Sequence, residues 1–94
     1  MKRHLTNQEK DFLKYMIKDK NFLAYVSKLF VEEMNDGGMR SLKFISSNNN
    51  RMLGDKLAEL EFSDSDGITV IATFNLDNYG DPYELDMWKT DFSP

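Results

Sequence analysis

The chain has 94 residues, a formal net charge of −4, no cysteine and one histidine, His4. A chain of this size buries roughly 60–65% of its unfolded surface, enough for one hydrophobic core and too little for two. Without cysteine, disulfide scaffolds, thiol nucleophiles, zinc–thiolate sites and iron–sulfur clusters are excluded, and one histidine near the start argues against His-based triads and multi-His metal centres.

No apolar run approaches the roughly 20 residues needed to cross a bilayer, and the first residues lack a signal-peptide core. The expectation is a soluble, cytoplasmic protein with no membrane partner and no cofactor. Charge is divided unevenly: residues 1–47 carry nine Lys/Arg against six Asp/Glu (+3), and residues 48–94 carry three against ten (−7). So acidic a second half should repel nucleic acid, whose binding depends on neutralising phosphates. No block of five like charges occurs, so the imbalance belongs to folded elements and not to a disordered tail.

Thr6 followed by Glu9 fits a capping box, in which the threonine oxygen accepts from the Glu9 amide and the Glu9 carboxylate reaches back. Phe12, Leu13, Met16 and Ile17 then recur along one helix face, with Lys10, Lys14 and Lys18 on another. Asn21 is a candidate N-cap for a second helix, whose Phe22, Tyr25, Val26 and Leu29 share a face. The spacing predicts helices over 6–18 and 21–29.

The period then falls to two. Strands are expected over Phe30–Met34 and Met39–Ser46, flanking the turn residues Asn35-Asp36-Gly37-Gly38. After the polar loop from Ser46 to Asn50, Ala58, Leu60 and Phe62 alternate with Glu59, Glu61 and Ser63. Beyond Asp64-Ser65-Asp66-Gly67, Ile68, Val70, Ala72, Phe74 and Leu76 alternate with Thr69, Ile71, Thr73 and Asn75. A last turn spans Asp77–Pro82, and Tyr83, Leu85 and Met87 alternate with Glu84, Asp86 and Trp88. Strands over 56–63, 67–76 and 83–89 complete the set. Short turns join antiparallel neighbours, whereas parallel ones need long crossovers. The fold class implied is α+β, with N-terminal helices packed on a five-stranded antiparallel meander sheet.

Two candidate chemistries are weak. Asp64-Ser65-Asp66-Gly67 resembles the start of a calcium loop, but counting from Asp64 the sixth position is Thr69 and the twelfth Asn75, where that loop needs Gly and Glu. A hairpin turn is the better reading. Glu84 and Asp86, like Glu59 and Glu61, lie roughly 6.6 Å apart along a strand, a spacing that paired catalytic carboxylates also use. An open sheet, however, offers little of the concavity that such sites require. No catalytic role is assigned.

The grouping of these acids is more informative. If the last three strands are neighbours, Glu59, Glu61, Glu84 and Asp86 share the outward face with Ile71 and Trp88. Such a face can be merely solvated, its charges deterring aggregation. It can also dock a basic partner around apolar anchors, because complementary charge speeds association and Trp is over-represented among residues that dominate binding.

The segments Val31-Glu32-Glu33-Met34-Asn35-Asp36-Gly37-Gly38-Met39-Arg40-Ser41-Leu42-Lys43-Phe44 and Tyr83-Glu84-Leu85-Asp86-Met87-Trp88-Lys89-Thr90-Asp91-Phe92-Ser93-Pro94 are similar to a small uncharacterised bacterial domain family. Its members occur among the small neighbours of polymorphic and contact-dependent toxins. The likeness extends more weakly over most of the chain, including the opening Leu5-Thr6…Glu9 helix and the Phe62…Asp64…Asp66-Gly67 turn. The resemblance implies an immunity-type role and supplies no catalytic residues.

The function expected is therefore non-enzymatic: an immunity protein that neutralises a cognate toxin by occluding its basic active site. Glu59, Glu61, Ile71, Glu84, Asp86 and Trp88 would form the contact. The alternative is a small enzyme or ligand-binding domain with a carboxylate-lined pocket between helices and sheet. A third reading is a homodimer formed through an edge strand.

Overall fold

Thr6 opens the first helix through the predicted capping box: its hydroxyl accepts from the Glu9 N–H at 3.1 Å, and its own N–H donates to the Glu9 carboxylate at 2.9 Å. In the computed structural model, which describes residues 2–34 and 41–90, eight elements follow the chain. They are β1 (Lys2–His4), α1 (Asn7–Met16), α2 (Lys20–Ser27), β2 (Phe30–Glu33), β3 (Leu42–Phe44), β4 (Leu53–Ser63), β5 (Thr69–Asp77) and β6 (Pro82–Lys89). The cap of α2 is Asp19, not Asn21: its carboxylate accepts from the N–H groups of Asn21 and Phe22. The expected Asn35–Gly38 turn and the start of the Met39–Ser46 strand lie outside the described residues.

The protein is α+β, but not a five-stranded meander behind N-terminal helices. One antiparallel sheet of six strands runs in the order β1-β2-β3-β6-β5-β4. β1 precedes the helices and pairs with β2, placing Arg3 opposite Val31 and His4 opposite Phe30. Three residues are too few for a period of two to be visible, and what holds them is tertiary. Leu5 is buried in the core, and Arg3 makes a bidentate pair with Glu9 at 2.8 and 2.9 Å.

The second departure is strand order. Chain-order neighbours would put β4 beside β3; instead β6 occupies that place, pairing Leu42 with Leu85 and Lys43 with Glu84. β4 becomes the far edge. Residues 45–52 must therefore pass across the ends of β6 and β5, and a polar network fastens that passage. Asp77 accepts from Arg51 Nε at 2.8 Å, from the Asn48 amide at 3.3 Å, and from the N–H groups of Tyr79 and Asp81. Arg51 also donates to the carbonyls of Phe44 and Pro82 and stacks over the Tyr83 ring. One side chain thus ties the end of β3, the end of β5 and the start of β6.

Gly54 lies where this passage meets β5. A Cβ there would sit 2.2 Å from the Asp77 carbonyl oxygen and 2.7 Å from its carbon. Backbone is what it meets, so neither strand can yield locally. Gly54→Ala should destabilise the fold by about 1–3 kcal/mol, the usual cost of forced overpacking, read from the urea midpoint. An unchanged midpoint would show that β4 and β5 can separate here without loss.

One sheet face and the two helices enclose the core. Leu13, Met16, Ile17 and Val26 come from or directly follow the helices and meet Val31, Leu42, Phe44, Ala72, Phe74 and Leu85. Aromatic contacts join the layers: Phe22 lies against Phe74 at 6.4 Å between ring centres and Phe12 against Phe62 at 5.5 Å. No helix among the described residues is long and apolar enough to cross a membrane.

Candidate functional site

Helices cover one side of the sheet, so residues of the opposite parity in β4, β5 and β6 form its outer face. Cross-strand register arranges them in rows. Glu61, Ile71 and Trp88 make one row, and Glu59, Thr73 and Asp86 the next. The third joins Lys56, Asn75 and Glu84. By register all six predicted contact residues fall on one face, with Glu59 and Asp86 about 10 Å apart across two strand spacings, although Trp88, near the end of β6, also borders a cleft on the helix side.

Glu59 and Glu61 are exposed, whereas Ile71, Glu84, Asp86 and Trp88 are half-buried. Their local partners differ. Lys56 donates to Glu59 at 3.0 Å, an exposed pair of the sort that contributes little to stability. Glu84 accepts weakly from the Asn75 amide at 3.4 Å, and the Ser41 hydroxyl lies 3.2 Å from an Asp86 oxygen. Glu61 has no ion pair among the described residues.

Because β6 lies next to β3, the third row does not stop at Glu84. It continues through Lys43, Glu32 and Lys2. The acidic field therefore occupies the β4–β5–β6 half and gives way to alternating charge beyond it. Sequence reasoning missed Lys43 and Ser41 because their partners on β6 are more than 40 residues away. The only signal for Lys43 was the positive charge of the first half of the chain, and Ser41 had none.

The helix side carries a cleft of about 920 Å³ between α1 and the sheet. Leu42, Phe62, Leu85 and Met87 contribute apolar lining, and the Arg3–Glu9 and Lys89–Asp64 ion pairs flank it. Both carboxylates are held below their ordinary range: Glu9 chiefly by its hydrogen bonds from Arg3, against an opposing push from burial, and Asp64 by Lys89 and the Ser65 N–H. Each stays ionised near neutrality, which suits an ion pair and not a general acid. Glu33, Leu42 and Lys89 of this lining are each two residues from a segment outside the described residues.

Asp77 is a different case. Burial pushes its carboxyl up, but the bonds from Arg51, the Asp81 and Tyr79 N–H groups and the Asn48 amide outweigh it and hold the group at about 2. Its partners are all engaged within the fold, so its role is to fasten the crossover and not to meet a ligand. Asp64-Ser65-Asp66-Gly67 is the expected hairpin turn, with Gly67 at φ +82° and its N–H donating to the Asp64 carbonyl.

Compared with curated proteins and with solved structures, the chain matches none. A family model does match, over residues 2–94, and its description is a domain of unknown function, DUF6984. With nearly the whole chain inside that match, this protein belongs to the DUF6984 family.

Proposed function

We propose that this chain is a non-enzymatic binding protein of the immunity type, which neutralises a toxin by laying the acidic outer face of its sheet over the toxin's basic active site. The observation that carries the reading is the convergence of Glu59, Glu61, Glu84 and Asp86 on one surface around Ile71 and Trp88. Nothing in the packing of the opposite face calls for four carboxylates there, and like charges on neighbouring strands cost stability. A toxin that cleaves nucleic acid must present positive charge to phosphate, and an acidic face competes for that same surface. Ile71 and Trp88 supply the apolar contact that slows dissociation once charge has brought the partners together.

The test uses the product of the adjacent gene. If that product is a toxin domain that co-purifies with this chain, Glu84→Lys with Asp86→Lys should slow association about 10–100-fold at low salt, and the deficit should shrink as salt is raised. An unchanged association rate, or an adjacent gene encoding no toxin, overturns the reading.

The cleft beside α1 favours a second reading, a ligand-binding domain with a carboxylate-edged pocket. Glu9 and Asp64 are already paired and ionised there. Acid–base catalysis needs a group poised near the working pH, so the binding-protein reading is preferred.

A further inference from the structure

The sheet has two open edges, and they are built differently. β1 closes one with three residues, Lys2-Arg3-His4, short and cationic in the way that edges are commonly protected. β4 closes the other with eleven, Leu53–Ser63, and among the described residues no strand pairs with its far side. Its first half is broken by register shifts between Leu53 and Lys56 and between Lys56 and Ala58, while pairing with β5 is regular from Ala58 to Ser63. Only that regular stretch can template another strand.

Which of its backbone groups face outward follows from the ladder. The Asp64 N–H donates to the Ile68 carbonyl at 2.8 Å, so the Asp64–Ile68 pair is of the hydrogen-bonded kind. Such pairs alternate along an antiparallel ladder. Phe62, Leu60 and Ala58 therefore bond to β5, and Ser63, Glu61 and Glu59 turn their N–H and C=O groups to the open side. The far flank of β5 agrees: the Thr90 N–H donates to the Thr69 carbonyl, which puts Thr69, Ile71 and Thr73 on the β6 ladder. Two of the three residues offering an outward donor and acceptor are thus glutamates whose side chains stand on the acidic face.

We propose that this edge takes an extended segment of a partner protein as a seventh strand, with Lys or Arg at the two alternate positions opposite Glu59 and Glu61 and an apolar residue between them. The apolar residue would lie beside half-buried Leu60, on the side where Phe62 meets Phe12 of α1. Charge selects this occupant over a second copy of the chain. Antiparallel pairing of two β4 strands centred on Glu59, Leu60 or Glu61 sets Glu59 on Glu59, Glu59 on Glu61, or Glu61 on Glu61. Each opposes like charges and is destabilising, and a basic strand reverses the sign of every such pair. Main-chain bonds then supply affinity and alternate side chains supply specificity, as in other strand additions. The inference rests on the binding-protein reading and names how the partner is held.

The probe is an acetylated, amidated octapeptide of alternating lysine and valine, added to the full isotope-labelled chain and followed by amide hydrogen exchange. Exchange at Glu59, Glu61 and Ser63 should slow at least tenfold, that at Leu60 and Phe62 should not change, and a glutamate–valine octapeptide should have no effect. Glu61→Pro removes one outward N–H and spares the β5 ladder, since proline is tolerated on an edge with that side free. It should weaken peptide binding at least tenfold, and Glu61→Gln by less. Should the proline variant fail to fold, a lysine–valine peptide N-methylated at alternate residues tests the same bonds on the unaltered protein. Peptide binding that leaves the three amides unprotected, binding indifferent to the proline or to N-methylation, or a dimer that protects the same amides without peptide would each overturn the proposal. Glu84 and Asp86 lie on β6, two strands away. A null result for their reversal would sink the toxin reading while leaving this amide readout intact.

Discussion

Arg51→Leu should destabilise the protein by about 3–5 kcal/mol, the usual cost of leaving a buried charge without its partner. The Asp77 side chain is fully buried and that of Arg51 is 10% exposed. Removing the guanidinium leaves the carboxylate with the Asn48 amide and two backbone N–H groups, and frees the carbonyls of Phe44 and Pro82. A domain of this size has about 5–15 kcal/mol in all, so the loss should be plain in chemical denaturation. The same variant alters acid sensitivity. Asp77 sits at about 2 in the folded protein against an ordinary 3.8. Its contribution is therefore complete above about pH 4 and is lost as pH falls through about 2. Without Arg51 the folded-state value rises, and the decline in stability between pH 4 and 2 should flatten. A loss under about 1 kcal/mol with an unchanged acid slope would mean that the crossover is held by something else.

Phe74→Ala should cost as much by a different route. Phe74 is fully buried, with Phe44 at 5.4 Å and Phe22 at 6.4 Å between ring centres, so it touches both the sheet and α2. Truncation removes the transfer energy of the ring and leaves a cavity among rigid neighbours, about 3–5 kcal/mol for a buried phenylalanine. Phe30 is the control. It is 48% exposed, on a strand near the other edge, and its replacement by alanine should cost well under half as much. Equal losses at the two positions would show that the core is not organised around the Phe22–Phe44–Phe74 contact. Phe74 faces the helices, and Phe30, though on the outward side with Glu32, lies on β2 away from β4, β5 and β6, so partner association by the folded fraction should be unaffected.

What could be read from the sequence was local. Thr6 and Glu9 lie three residues apart, and Ala58–Phe62, Thr69–Leu76 and Tyr83–Trp88 carry their pattern within single strands joined by short turns. For that reason the shared face of Glu59, Glu61, Ile71, Glu84, Asp86 and Trp88 was legible, since consecutive hairpins nearly fix it. Strand order was not. The choice between β4 and β6 as the neighbour of β3 depends on Leu42 meeting Leu85, a contact between residues far apart in the chain. Asp77 opens a segment that reads as a polar turn and Arg51 directly follows the Ser46–Asn50 loop, where burial leaves no periodic trace. β1 is shorter than any pattern. Asp19 was overlooked as a cap because Asn21, also a capping residue, follows two positions later.

Strand order has one more consequence, for how the molecule turns in a field. β1, β2 and β3 carry Lys2, Arg3 and Lys43 against Glu32 and Glu33, a net +1, whereas β4, β5 and β6 carry Lys56 and Lys89 against Asp55, Glu59, Glu61, Asp77, Glu84 and Asp86, a net −4. Ordered as they are, the two sets of strands lie side by side and give the sheet an electric dipole, with its negative pole toward β4. Six strands span roughly 24 Å, more than twice the screening length of about 10 Å at 0.1 M salt. In dilute electrolyte a cationic body nearby would exert a torque that swings the β4 side around to meet it. At cellular ionic strength that torque fades over about 8 Å of separation, and only a partner already close would be oriented.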